Sequence, residues 1–96
     1  MGLFVYLGHD GPRGAELRKT VRERHLAHLD GLEADGRIRF AGPLLDESGA
    51  PCGSVIVFEA ENWAAARSVA EHDPYVLDGV FESVEIRASK QVFPKP

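Results

Sequence analysis

A four-stranded antiparallel sheet with two helices on one of its faces, an α+β plait in the order β-α-β-β-α-β, is the fold class this sequence predicts. Three observations lead there. Four short segments are rich in β-branched and aromatic residues or alternate apolar with polar, and two longer segments carry apolar residues at helical spacing. The helical segments separate the first strand from the second and the third from the fourth. Only a polar stretch punctuated by Gly and Pro separates the second from the third, so those two form a hairpin with a long loop.

The first strand is "LFVYLG", Leu3 to Gly8, closed by the turn-forming "HDGPRG". From Ala15 to Asp35 the chain is unbroken except at Gly31. Leu17, Val21, His25, His28, Leu29 and Leu32 recur there at spacings of mostly three and four, an amphipathic helix that Gly36 ends. "RIRFAGPL" alternates, with Ile38 and Phe40 on one side and Arg37 and Arg39 on the other, and Gly42-Pro43 is expected to break its pairing. "SVIVFEA", Ser54 to Ala60, is apolar on both alternating faces, as in a central strand covered on both sides. Asn62 caps a second helix through "WAAARSVAEH", whose Trp63, Ala66 and Ala70 form a narrow apolar edge, and Pro74 is expected to halt it. "VFESVEIR" supplies the fourth strand, with Val80, Val84 and Ile86 on one side.

This order of elements is that of the ferredoxin-like plait. Its helices cover one sheet face, yet the first and third strands are apolar on both: Leu3, Val5 and Leu7 against Phe4 and Tyr6, Val55 and Val57 against Ile56 and Phe58. The second face therefore wants a cover. A homodimer packed sheet to sheet is expected, with Phe4, Tyr6 or their neighbours in the interface, because each large side chain so buried contributes about 1.5–3 kcal/mol.

A chain of 96 residues has room for one domain, residues 1–96, and one modest core. Eleven basic and fifteen acidic side chains give a net charge of −4 with the basic residues scattered, which excludes a nucleic-acid footprint. The longest apolar runs are far short of a membrane span, and no positive region precedes the first of them, so a cytoplasmic protein is expected. The single cysteine, Cys52, excludes an internal disulfide and a cysteine-based zinc cluster, and a buried thiol is its expected state.

Two places carry chemistry. At roughly 100° per residue the apolar stripe of the first helix spans about 120°, and His25 falls well inside it. An inward imidazole there is either a core histidine held by one hydrogen bond or a functional group. His28, nearer the edge, reads as a rim side chain, and Arg22 and Arg18, one and two turns before His25, either bind an acidic ligand or pair with nearby glutamates. The second place is "EHDPYVLDGVFE", where Asp73 sits at the end of a helix, the end disfavouring negative charge by about 0.3–1 kcal/mol. Asp73 is either a turn starter or the partner of His25, since the plait sets its two helices side by side. A His/Asp pair fixes the tautomer, raises basicity and leaves the other ring nitrogen free for proton transfer. No Ser or Cys stands at nucleophile-elbow spacing, although Ser54 could offer a hydroxyl to a pocket. Leu29 and Tyr75 are expected to wall that pocket.

The motifs Arg22-x-x-His25-Leu26, Gly42-Pro43-Leu44, Gly53-Ser54 and Asp73-Pro74-Tyr75, followed by Gly79-Val80-Phe81, together resemble the YciI-like (YCII-related) family over nearly the whole chain. The resemblance implies a ferredoxin-like fold that dimerises through its sheets into a dimeric α/β barrel, with His25 and Asp73 as the site. It also implies proton abstraction with elimination or isomerisation on a small, polar, cyclic substrate, of the kind performed by a dehydrochlorinase of a chlorinated hydroxyhydroquinone. The loop "LGHDGPRGAELR" with His9 and the tail "ASKQVFPKP" match none of its motifs.

Three classes of function follow. The first is a cofactor-independent lyase or isomerase in which His25 is general base or acid, Asp73 orients it, and Arg18, Arg22, Ser54 and Tyr75 hold the substrate. The second is a non-catalytic module that recognises a small ligand in the same pocket. The third, a metal site from His9, His25 and His28, matches no compact ligand signature, so no metal is expected.

Overall fold

The computed structural model describes all residues 1–96. Strand β1 (Gly2–Asp10) leads through a short turn into helix α1 (Gly14–Ala34). Strands β2 (Ile38–Leu45) and β3 (Pro51–Ala60) form a hairpin, and helix α2 (Trp63–Glu71), one-turn helix α3 (Pro74–Leu77) and strand β4 (Phe81–Ser89) complete the chain. The sheet order is β2-β3-β1-β4 with every neighbouring pair antiparallel, the ferredoxin-like plait.

The helices cover the face that carries Phe4, Tyr6, Ile56, Phe58 and Ala60, which with Val21, Leu32, Ala66, Val69, Ala70, Tyr75, Val80 and Phe81 make up the core. Phe4 packs edge-on to Trp63, and Tyr6 edge-on to Phe81. Phe4 and Tyr6 thus lie beneath the helices, contrary to their expected place on the far face. That face instead carries the other apolar set, in which Val5 pairs with Val57 and Leu7 with Val55. With both sets apolar, alternation alone could not choose between them.

Three further expectations are corrected. Gly42-Pro43 does not interrupt β2, because Pro43 pairs with Ser54 and the ladder runs on to Leu45 opposite Pro51. β2 is an edge strand, where the missing proline N–H is tolerated. The hairpin loop is accordingly short, and Asp46 organises it by accepting from the Ser48 N–H and hydroxyl and from the Ala50 N–H. Ile38 and Phe40 do not share a face, since the register shifts between them: Ile38 stands opposite Phe58 and Phe40 opposite Val57. Such a bulge sends Phe40, 58% exposed, to the open face. Cys52 is exposed rather than buried, because it lies beyond the β1–β3 ladder, which ends at the pair His9 and Gly53.

The two helix starts matter for the site. Asn62 caps α2 by accepting from the Ala65 N–H at 2.8 Å, as its sequence position suggests. Pro74 does end α2, but it is also the first residue of α3, with Asp73 as its N-cap accepting from the Tyr75 N–H. Asp73 therefore follows the end of α2, as expected, and at the same time caps the start of α3.

Candidate active site

α1 turns His25 inward and the α2–α3 junction brings Asp73 beneath it. His25 Nδ1–H donates to Asp73 Oδ1 at 2.7 Å, and the carboxyl is fully buried. Asp73 has two further donors: the Tyr75 N–H at 2.9 Å on the same oxygen, and the Tyr6 hydroxyl at 3.1 Å on Oδ2. All three of these contacts bring a donor to Asp73, and acceptance by Oδ1 places the proton of a neutral His25 on Nδ1. Nε2, which has no partner in the protein, is not sealed from solvent.

The imidazole lies flat on the Tyr75 ring, with centroids 3.8 Å apart and planes 1° from parallel. Tyr75 is clamped in turn: Phe81 meets its ring edge-on at 5.5 Å, and the Arg18 guanidinium carbon sits 5.0 Å from its centroid. Burial raises the Tyr75 phenol above its ordinary range, partly opposed by the charges of Arg18 and Arg22. The Tyr6 phenol is raised much further, first by burial and then by the Asp73 charge it faces.

Arg18 pairs with an aspartate rather than a glutamate. Its Nε and Nη2 reach the two oxygens of Asp10 at 2.8 Å each, and Nη2 also meets the Gly53 carbonyl at 2.9 Å and Ser54 Oγ at 3.4 Å. The Asp10 hydrogen bond is the main reason its guanidinium holds its proton even more firmly than usual. Arg22 is exposed beside this group and within electrostatic reach of Tyr75, with no ion pair of its own.

A cavity of about 300 Å³ opens over the pair. Arg18, Arg22, His25 and Tyr75 form one wall, Leu26 and Leu29 a second, and Ala41, Pro43, Pro51, Ser54 and Ile56 the sheet side. All six residues singled out from the sequence thus belong to one locus, five lining the cavity and Asp73 lying behind His25. Two contributors went unrecognised, Tyr6 and Asp10. Both side chains are polar groups in β1, but nothing in the strand pattern says which face they take.

The remaining histidines lie elsewhere. His28 Nε2 donates to the Val69 carbonyl at 2.8 Å and ties α1 to α2. His9 stands on the open sheet face, 3.7 Å from Glu85. No group of three metal-ligating side chains occurs in the structure, and no helix is long and apolar enough to cross a membrane.

Proteins of known sequence and structure resemble this chain. Protein YciI of Escherichia coli is 38% identical over 97 residues, covering 95% of this chain and 99% of its own, and an uncharacterised protein of Haemophilus influenzae is 38% identical over 96 residues, covering 94% and 98%. Among solved structures, 5-chloro-2-hydroxyhydroquinone dehydrochlorinase (TftG) of Burkholderia phenoliruptrix, in complex with 2,5-dihydroxybenzoquinone, superimposes with a TM-score of 0.82. It is 30% identical, with 93% of this chain and 94% of that one covered. An antibiotic biosynthesis monooxygenase shares the fold alone, at a TM-score of 0.57 and 10% identity, covering 96% of this chain and 99% of that one. The YCII-related domain profile matches residues 2–90, and the chain belongs to that family.

Proposed function

We propose that the protein is a cofactor-independent enzyme that uses His25 as general base and acid on a small hydroxylated ring, in an elimination or isomerisation. The observation that carries this reading is the state of the imidazole. One nitrogen is bound at 2.7 Å to a buried carboxylate, and the other is unpartnered and accessible where the cavity lies. In the proposed reaction Nε2 takes a proton from the substrate's hydroxyl or ring carbon, and the electron pair left behind forms an enolate. In an elimination the imidazolium delivers that proton to the ring carbon bearing the leaving group, and deprotonation of a second hydroxyl then expels the group, such as chloride, with its bonding electrons and leaves a quinone. In an isomerisation the imidazolium returns the proton at another carbon. Asp73 stays ionised and stabilises the imidazolium, while Arg22, Arg18, Ser54 and the Tyr75 hydroxyl face the developing oxyanion.

The likeness to TftG supports a hydroxylated quinol or quinone as the substrate class. The test is release of chloride from 5-chloro-2-hydroxyhydroquinone by the protein and by His25→Asn, which keeps an N–H donor toward Asp73 and removes Nε2. Turnover lost by at least about a hundredfold in the variant, with its fold intact, is expected for a missing general base. Equal rates would refute the role of His25. Tight binding of the ring without turnover would assign the pocket to ligand recognition alone.

We also propose a homodimer closed through the open sheet face. Leu3, Val5, Leu7, Val55 and Val57 stay partly exposed there and Phe40 stands 58% exposed, an apolar surface of the kind that marks an interface. Val57→Glu would place a charge at its centre, and sedimentation should find that variant monomeric and the parent dimeric. A parent chain that sediments as a monomer at micromolar concentration would contradict the dimer. An exposed free thiol at Cys52 fits the reducing cytoplasm.

A further inference from the structure

We propose that Tyr6 is a positioning residue for His25: its hydroxyl, by donating to Asp73 Oδ2, governs how much of the carboxylate's charge reaches the imidazole. Tyr6 lies in the central strand β1, fully buried, and its hydroxyl meets Asp73 across 67 residues of sequence. Packing alone does not ask for this hydroxyl. The layer around it is built of Phe4, Phe58 and Phe81, and a phenyl ring would fill the same space. A buried hydroxyl is retained at a desolvation cost unless it has a partner, and its only partner here is Asp73.

The three donors on Asp73 are divided unequally. His25 and the Tyr75 N–H share Oδ1, and Tyr6 alone holds Oδ2. Donation to Oδ2 draws negative charge away from Oδ1, the oxygen that faces the imidazole. Without the hydroxyl, Oδ1 becomes the stronger acceptor and the imidazolium form of His25 is better stabilised. The other groups around His25 do not duplicate this effect. Tyr75 stacks on the ring face, Arg18 is neutralised by Asp10, Arg22 lies exposed at the cavity wall, and Ser54 faces the cavity from β3.

Tyr6 in this role presupposes that His25 is the proton-carrying group, but the titration that tests it needs no substrate. In full-length protein labelled with ¹⁵N-histidine, the His25 resonances are assigned by their loss in His25→Asn and followed against pH in the parent and in Tyr6→Phe. The midpoint should rise in Tyr6→Phe by about 0.5–1 pH unit, a typical effect of one hydrogen bond to a charged neighbour. The acid limb of any turnover profile should move with it. A midpoint that is unchanged, or that falls because Asp73 itself takes up the proton, would overturn the proposal. Should Tyr6→Phe fail to fold, the phenolic proton of Tyr6 in the parent provides the readout. Its resonance should move along the His25 titration, and a resonance that stays fixed would overturn the proposal equally. A shifted midpoint in a protein without turnover would refute His25 as a base while leaving the coupling to Tyr6 standing.

Discussion

Replacing Asp73 by alanine strands three donors at once. The carboxyl is fully buried and accepts from His25 Nδ1, the Tyr75 N–H and the Tyr6 hydroxyl. Each donor left without a partner away from water costs about 1–3 kcal/mol, the Tyr75 N–H among them being the α3 cap itself. Rotation of the His25 ring or entry of one water would relieve part of that, so a net loss of about 4–6 kcal/mol is expected. Against the 5–15 kcal/mol typical of a domain, this leaves the variant close to unfolding. The second replacement, Tyr6→Phe in the Asp73→Ala background, removes one of the stranded donors and should restore about 1–2 kcal/mol, although Tyr6→Phe alone destabilises. Urea unfolding followed by the fluorescence of Trp63, the only tryptophan, measures all four chains of the cycle. A loss under about 1.5 kcal/mol in Asp73→Ala, or a double variant weaker than the single, would refute the account of Asp73 as a shared acceptor.

Two other outcomes follow from the packing and the phenols. A Cβ at Gly8 would overlap the ring of Phe81, whereas one at Gly31 meets nothing within 4 Å. Thermal denaturation should therefore show Gly8→Ala melting lower by about 5–15 °C and Gly31→Ala slightly higher, since the first overpacks and the second only stiffens a helix. The Tyr6 and Tyr75 phenols are both raised by burial, so the folded protein holds these protons more tightly than the unfolded chain does. Their contribution to stability is whole below about pH 10 and is lost above it, by about 1.4 kcal/mol per pH unit for each proton concerned. Unfolding midpoints measured between pH 9 and 11 should fall along that slope, and less steeply in Tyr6→Phe.

His25 was readable from sequence because helical phase is a strong constraint: an imidazole inside a leucine stripe must face inward. Asp73 was readable as its partner only through topology, since the plait sets α1 beside the end of α2. Asp73 does follow the end of α2, but it also caps the start of α3. Pro74 both stops one helix and starts the next, and a sequence reading that takes only the stop misses α3 and the cap. Tyr6 lay beyond reach for a different reason. β1 is apolar on both faces, so period-two alternation places Phe4 and Tyr6 together but cannot say on which side. The Arg39 bulge is similar, for one unpaired residue reverses every face assignment after Ile38 without any mark in composition. Asp10 and Arg18 meet because Asp10 has the same parity in β1 as Phe4 and Tyr6 and so faces the helices.

The central claim is that His25 Nε2 is the group presented to the substrate. It is tested most directly by the ¹⁵N spectrum of the imidazole during titration of the protein with 2,5-dihydroxybenzoquinone. The account predicts that the Nε2 resonance moves and saturates with the ring compound while Nδ1 remains protonated against Asp73. A spectrum in which the compound binds and Nε2 does not respond, or in which Nδ1 responds instead, would contradict it.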